Sequence, residues 1–134
     1  MRTPLFDLSI TVNGRYRLHR ITGVQRYAHE IVSRLSDQLG RQIEVLTPKS
    51  ARGPAGHLWE QTALSIASRG RLLWSPCGSG PAFHGRHVVT FHDLFPLEHP
   101  EWYGEAYAKW YRALLPVSYT HLDVYKRQAQ QTAC

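Results

Sequence analysis

The sequence predicts an α/β fold built on a partial Rossmann-like parallel sheet of about four strands with flanking helices. Short apolar segments alternate with amphipathic helical ones, and glycine or proline closes most of them. This alternation is typical of units in which crossover connections join parallel strands. With 134 residues the chain has the length of about one domain.

The first strand and the helix after it carry the clearest boundary signals. We predict a strand over Leu5–Val12, because the segment is mostly apolar and an Asn-Gly turn follows it. A helix then begins at Gly23, since Thr22 and Gln25 have the spacing of a capping box, and Gly40 ends it. Its predicted apolar stripe consists of Val24, Tyr27, Ala28, Ile31, Val32, Leu35 and Leu39.

The middle of the chain predicts a second strand and a weaker helix. The strand covers Gln42–Pro48, and Lys49–Gly56 follows it as an exposed loop rich in glycine and proline. A shorter helix covers His57–Ser68, where the apolar spacing is less regular. Its predicted apolar face consists of Trp59, Ala63 and either Ile66 or Ala67.

Two further strands and a last helix complete the predicted elements. The strands cover Arg71–Pro76 and His87–Phe91, with a glycine-rich loop at Cys77–Gly85 between them. The helix spans His99–Pro116 and ends at its final proline. Its aromatic face, most simply a core surface, consists of Tyr103, Ala106, Tyr107, Trp110, Tyr111 and Leu114.

Composition narrows the class of protein. An apolar fraction of 43% and four tryptophans indicate a folded chain, and no apolar run approaches the ~20 residues of a membrane span. The two cysteines, Cys77 and Cys134, make no disulfide framework. Together with the lack of an apolar leader near the start, this favours a cytoplasmic location.

The formal net charge of +6 favours an anionic partner. Its distribution is local, because four arginines fall in one loop and the start of the next helix while the other basic residues are scattered. A local cluster suits a small anion better than a track along nucleic acid, so we expect no nucleic-acid partner. The four are Arg15, Arg17, Arg20 and Arg26.

Candidate binding residues gather at the carboxyl ends of the predicted strands. In an open parallel sheet this is the edge at which ligands bind. The His92–Asp93 pair, the loop Cys77–Pro81 and the arginine loop before Gly23 all fall there. Each also has an ordinary interpretation: Asp93 could cap a turn beside a loop histidine, and Gly23 could begin a helix beside solvated arginines. The anion interpretation is favoured at Gly23 because arginine charge and unpaired helical amides act together.

A metal site and a cysteine nucleophile are both disfavoured. The cluster of candidate ligands is His84, His87, His92, Asp93 and His99, but His87 and His92 bracket an extended strand that holds their side chains apart. Cys77 follows a proline without a recognisable catalytic signature. Neither a Walker-type phosphate loop nor a GxGxxG fingerprint occurs.

Five motifs occur in a characteristic order: "TGVQRYAHEIVSRL", "GHLWEQ", "RLLWSPCGSGP", "VVTFHDLFPLEHPEWY" and "YAKWYRALLP". The series resembles the amino-terminal domain of family-4-type retaining glycosyltransferases of the GT-B fold, in particular bacterial mannosyl- or rhamnosyltransferases of surface polysaccharide synthesis. The match covers Leu5 to about Pro116.

The resemblance implies a function for the parent protein. It implies transfer of a hexose or deoxyhexose from a nucleotide sugar, with GDP-mannose a candidate donor, to a glycan or a lipid-linked glycan. The chemistry it implies is metal-independent and retaining, needs no cofactor, and takes place in the cytoplasm or at the inner face of the membrane. The residues matched are His92 and Asp93 as catalytic, Gly23 and Arg26 for the donor phosphates, and Arg20, Gly78 and Ser79 for the acceptor.

The resemblance also implies a second domain. We expect residues 1–117 to be an incomplete acceptor-side domain, without the carboxyl-terminal domain that binds the donor and therefore inactive alone. The segment 118–134 resembles translated sequencing-adapter read-through, so we expect it to be non-native and to form no domain. The fourth strand would then be a sheet edge.

A noncatalytic function is the alternative. The basic loop Arg15–Arg26 could serve a module that binds nucleic acid or a membrane surface through charge alone.

Overall fold

A computed structural model describes residues 9–50, 53–92 and 98–119, with side chains up to residue 113. The chain forms two compact units, Met1–His92 and Asp93–Cys134. The first contains the sheet and the second contains a helix. No helix in the described ranges has the length and apolar character needed to cross a bilayer.

The sheet of the first unit has four parallel strands, as the sequence predicts. They are β1 (Ile10–Asn13), β2 (Ile43–Leu46), β3 (Leu72–Ser75) and β4 (His87–Val89). Their order is β2-β1-β3-β4, and every neighbouring pair is parallel. The chain therefore moves outward from β1 in one direction and then crosses back over it, as in doubly wound α/β sheets.

Helix α1 spans Gly23–Leu39 and confirms the boundaries expected from the sequence. At its start the Thr22 backbone N–H donates to the Gln25 side chain at 3.2 Å, one half of the capping box. At its end Gly40 adopts a φ of +54°, a left-handed value that glycine reaches without strain. The helix packs on one sheet face in a core of Val12, Tyr16, Ala28 and Val32.

The second helical segment differs from the prediction in its start and in its buried face. It begins with α2 (Gly53–Trp59), continues as a π-helical turn (Glu60–Leu64) and ends with α3 (Ser65–Ala67). The predicted face is wrong, because Ala63 and both alternatives for its last position, Ile66 and Ala67, are exposed. The buried side of the segment carries one residue every four positions: Gly56, Glu60, Leu64 and Ser68.

The two sheet faces have different chemistry. Val12 is paired with Trp74, and their face carries the apolar core beneath α1. Strand residues alternate between faces, so Asn13 and Ser75 lie on the opposite one, and Asn13 is hydrogen-bonded to Glu60 there. The second helical segment therefore covers a partly polar face.

The second unit contains a short 3₁₀ turn at Pro100–Trp102 and helix α4 at Glu105–Tyr119. The helix continues past Pro116, where the sequence predicts its end. A proline removes one backbone hydrogen bond but does not by itself oblige a helix to stop. Aromatic rings stack along this unit, from Tyr103 to Tyr107 and from Tyr107 to Tyr111, with centroids 5.5 and 5.9 Å apart.

Candidate functional site at the carboxyl ends of the strands

The strand order places a topological switch point between β1 and β3. The connection after β1 leads to β2 on one side, and the connection after β3 leads to β4 on the other. In open α/β sheets the crevice beyond the carboxyl ends of two such strands is the usual ligand site. Here those ends are Asn13 and Ser75, and the Asn13 amide donates to the Ser75 hydroxyl at 3.3 Å.

A buried carboxylate, Glu60, lies at the centre of this region and has no exposed surface. Its Oε1 accepts from the Asn13 amide at 2.9 Å and from the Ser79 hydroxyl at 2.8 Å. Its Oε2 lies 3.2 Å from Nη1 of Arg15 in an ion pair. We call Asn13, Arg15, His57, Glu60, Ser75 and Ser79 the Glu60 cluster.

The Glu60 cluster joins three segments that are distant in sequence. Asn13 ends β1, Glu60 begins the π-helical turn, and Ser79 belongs to the loop after β3. The Asn13 amide also donates to the backbone carbonyl of Ser79 at 3.2 Å, so both the side chain and the backbone of that loop are held. The cluster thus fixes the loop at the switch point.

His57 adds a titratable group to this cluster. Its Nδ1 lies 3.2 Å from Nη1 of Arg15 and 3.3 Å from Oε2 of Glu60. Because a guanidinium only donates and a carboxylate only accepts, the tautomer decides the partner. With its proton on Nδ1, His57 donates to Glu60; without it, Nδ1 accepts from Arg15.

The environment favours the ionised form of Glu60. Burial by itself raises the pKa of this carboxyl. Hydrogen bonds from His57 and Asn13, the charge of Arg15 and the Ser79 hydroxyl outweigh that effect, and the pKa lies below its ordinary value. An ionised, fully bonded Glu60 suits a positioning role better than proton transfer.

Beside the cluster, His87 is held neutral. Burial and the nearby His84 ring lower the pKa of His87 to about 4, although a hydrogen bond to the Pro81 backbone acts in the opposite direction. Its Nε2 lies 2.9 Å from the Ser75 hydroxyl. That hydroxyl accepts from Asn13, so its own proton is available for the neutral ring.

His92, predicted to be catalytic, lies just after β4 with an exposed ring. Its Nε2 is 2.7 Å from the carbonyl oxygen of Pro76. A carbonyl only accepts, so Nε2 carries a proton; in the tautomer with that single proton, Nδ1 presents a lone pair. The ring also makes an edge contact with Tyr27, with centroids 4.9 Å apart. Asp93, its predicted partner, lies outside the described residues.

The donor-side residues gather at the start of α1. Gly23 is its first residue and is exposed, and a Cβ built there meets no atom within 4 Å. Tyr27 lies one turn later on the same helix face, so its contact with His92 brings that ring beside the helix start. Arg20 and Arg26 are both exposed near this end of the helix.

The two predicted acceptor residues lie in the loop after β3. Gly78 has a φ of +74°, in the region that glycine adopts without strain, and a Cβ there would approach the Phe91 ring at 3.8 Å. Ser79 is part of the Glu60 cluster. Gly80 is more tightly constrained, because a Cβ would lie 2.6 Å from both the Ser75 hydroxyl and the His87 ring.

Two further sequence candidates have ordinary structural surroundings. Burial, with the negative charge of Glu60 as a smaller cause, raises the pKa of the Cys77 thiol to about 11, so the thiol is protonated at neutral pH. Within the described ranges, no group of three or more His, Cys, Asp and Glu side chains is arranged to hold a metal ion. His84 lies 3.0 Å from the Ser68 hydroxyl.

Sequence reasoning finds the edge of the sheet that carries the candidate site but not the cluster that organises it. The pattern assigns Asn13 to a turn and gives Glu60 no role. One signal was available: Glu60 occupies the position between Gly56 and Leu64 in a spacing of four. A polar residue in a buried stripe indicates a polar partner across the interface.

We compared the chain with protein-family models, curated proteins and solved structures. No protein-family model, curated protein or solved structure matches this chain. Function is therefore inferred from the geometry of the described residues and from the series of motifs.

Proposed function

We propose that this chain is the acceptor-side part of a retaining glycosyltransferase that moves a hexose or deoxyhexose from a nucleotide sugar to a glycan or lipid-linked glycan. The contact between His92 and Tyr27 carries the proposal, because it brings a histidine at the end of β4 beside the start of α1. A sugar-contacting group and a phosphate-binding helix start would then face the same ligand.

The chemistry assigned to each group follows from its surroundings. The amides at the start of α1 bind the donor diphosphate and, with Arg26, stabilise the negative charge that develops as the sugar leaves. Gly23 allows the diphosphate to approach the backbone closely. Nδ1 of His92 accepts a hydrogen bond from a sugar hydroxyl, since Nε2–H is bonded to Pro76.

The Glu60 cluster has a supporting role in this proposal. It holds the loop that carries Gly78 and Ser79 at the switch point, where the acceptor would enter. Asp93 is retained as a catalytic candidate on the motif alone.

The test uses the longer parent protein, which under the proposal includes the domain that binds most of the donor. It is titrated with GDP-mannose and other nucleotide sugars, and amide shifts are followed by NMR at Gly23–Tyr27 and His92. In the longer parent protein, His92→Ala is expected to lower turnover about ten- to a thousandfold, the range for one lost transition-state hydrogen bond.

The control is His84→Ala. His84 also contacts a backbone carbonyl, that of Ser68 at 3.3 Å, but it precedes β4, whereas His92 follows that strand. We expect the His84→Ala variant to have the same turnover as the unmodified parent protein. Equal turnover of His92→Ala and His84→Ala would contradict the proposal. So would NMR amide shifts that change on adding nucleotide sugar only at residues other than Gly23–Tyr27 and His92.

A further inference from the structure

Two side chains that point into the protein anchor the loop between β1 and α1. Tyr16 is 2% exposed and packs in the core beneath α1, with an edge contact to His29 at 4.9 Å. The preceding Arg15 turns toward the ion pair with Glu60. These two side chains hold the 3₁₀ turn Gly14–Leu18 against the sheet. The residues that follow therefore project from a fixed base.

The outer surface of this loop combines aliphatic and basic side chains. Leu18 is 45% exposed and Ile21 is 63% exposed. Arg17 precedes Leu18 and Arg20 precedes Ile21, with His19 between the two pairs, and both arginines are exposed as well. We call Arg17–Ile21 the outer loop.

The charge along the outer loop and the start of α1 has one sign. No acidic residue occurs from Arg15 to His29. Arg15 is paired with Glu60, so the exposed charge comes from Arg17, Arg20 and Arg26. The surface therefore complements an anionic one.

We propose that the outer loop docks the chain on an anionic lipid surface, with Leu18 and Ile21 inserted below the headgroups and the arginines on lipid phosphates. A nucleic acid would use the arginines alone, because two aliphatic side chains gain nothing against a phosphate backbone. A membrane interface uses both kinds of side chain. This inference does not depend on glycosyl transfer.

Sedimentation with vesicles tests the inference on the full 134-residue chain. We expect binding to vesicles of phosphatidylcholine with about a third phosphatidylglycerol, little binding to phosphatidylcholine alone, and weaker binding at about 0.5 M salt. The double variant Leu18→Ser with Ile21→Ser should weaken partitioning about tenfold or more. Arg17→Gln with Arg20→Gln should weaken it about 25-fold, or fivefold for each arginine.

Matched control variants separate docking through the outer loop from non-specific binding of exposed aliphatic side chains to vesicles. Leu58 and Ile66, 65% and 60% exposed, are aliphatic side chains of the same kind on the second helical segment. Leu58→Ser with Ile66→Ser should leave vesicle binding unchanged. Far-UV circular dichroism on each variant confirms that the fold persists.

Three results would overturn the inference. The native chain could fail to bind anionic vesicles, or both serine pairs could bind as the native chain does. A duplex RNA or DNA could bind more tightly than the vesicles at equal salt, in which case the loop is a nucleic-acid site.

Discussion

Glu60 shows how one buried side chain depends on its partners. Removing a carboxylate from water is costly, and only ion pairing and hydrogen bonds make the buried ion tolerable. Glu60 has an ion pair with Arg15 and accepts from Asn13 and Ser79. Deleting the carboxylate would leave those donors without their acceptor.

We expect Glu60→Ala to lower the free energy of unfolding by about 3 to 5 kcal/mol, the usual cost of removing one member of a buried ion pair. Glu60→Gln should cost less, since it keeps one acceptor oxygen and most of the volume. Urea unfolding followed by circular dichroism measures both. The control is Glu44→Ala, whose ion pair with Arg71 is at the surface and should be worth about 1 kcal/mol or less. Equal costs for the two alanine variants would contradict the cluster's importance.

The sequence could predict some site residues and not others. Local spacing correctly places Gly23 at the start of α1 and His92 shortly after β4, and their functional roles stay predictions. Glu60 is not found, because its partner Asn13 lies 47 positions away and only the fold brings them together. Local patterns do not record such pairings.

The second helical segment shows the same limit for an element. Apolar spacing chooses Trp59, Ala63 and either Ile66 or Ala67 as the buried face. The sheet face that the segment covers is instead lined with Asn13 and Ser75. Polar residues are therefore buried on the helix as well. The π-helical turn at Glu60–Leu64 widens the helix, which helps residues four apart remain on one face. Helix α1 was predictable because its sheet face is apolar.

Two glycines at this edge of the sheet should respond differently to a methyl group. Gly80→Ala should cost about 1 to 3 kcal/mol of unfolding free energy, because the Cβ would overlap the Ser75 hydroxyl and the His87 ring. Gly23→Ala should leave stability unchanged or slightly higher, since its Cβ meets open space in a helix. Under the proposed function it should nevertheless weaken donor binding.

Urea midpoints and NMR titration with GDP-mannose separate these two effects. A Gly23→Ala chain that binds donor as the native chain does would contradict the phosphate assignment. A Gly80→Ala chain of native stability would show that the loop can move aside.

The first unit brings its polar groups together through the order of its strands. Because β1 and β3 are neighbours, Asn13 and Ser75 end side by side although they are 62 positions apart. The sequence predicts parallel strands and the edge that carries the candidate site, but the polar layer under the second helical segment follows only from strand order and register. Two titratable side chains of this layer, His87 and Glu60, make the free energy of unfolding depend on pH.

Acidification should destabilise the fold through His87 and through Glu60, because the pKa of each group is lower in the folded chain than in the unfolded one. The pKa of His87 falls from an ordinary 6.5 to about 4, so between these values the unfolded chain binds the proton that the folded chain excludes. The free energy of unfolding therefore decreases as pH falls through this window, by about 2 to 3 kcal/mol. The pKa of Glu60 is also depressed, so its contribution is present above its unfolded value of 4.5 and is lost below it.

Unfolding measured from pH 8 to pH 3 separates the two windows. His87→Gln removes the ring with the larger pKa shift, so it should lose much less stability than the native chain between pH 6.5 and 4.5, and it should still lose stability at lower pH because Glu60 is present. Glu60→Gln should show the reverse, with the loss above pH 4.5 kept and part of the loss below it removed. His19→Gln is the comparison: partial burial and then the charge of Arg15 also lower the pKa of His19, but by less than for His87, so this variant should remove only a smaller part of the loss in the same pH window. If His87→Gln followed the native curve between pH 6.5 and 4.5, His87 would not be buried in its neutral form against Ser75.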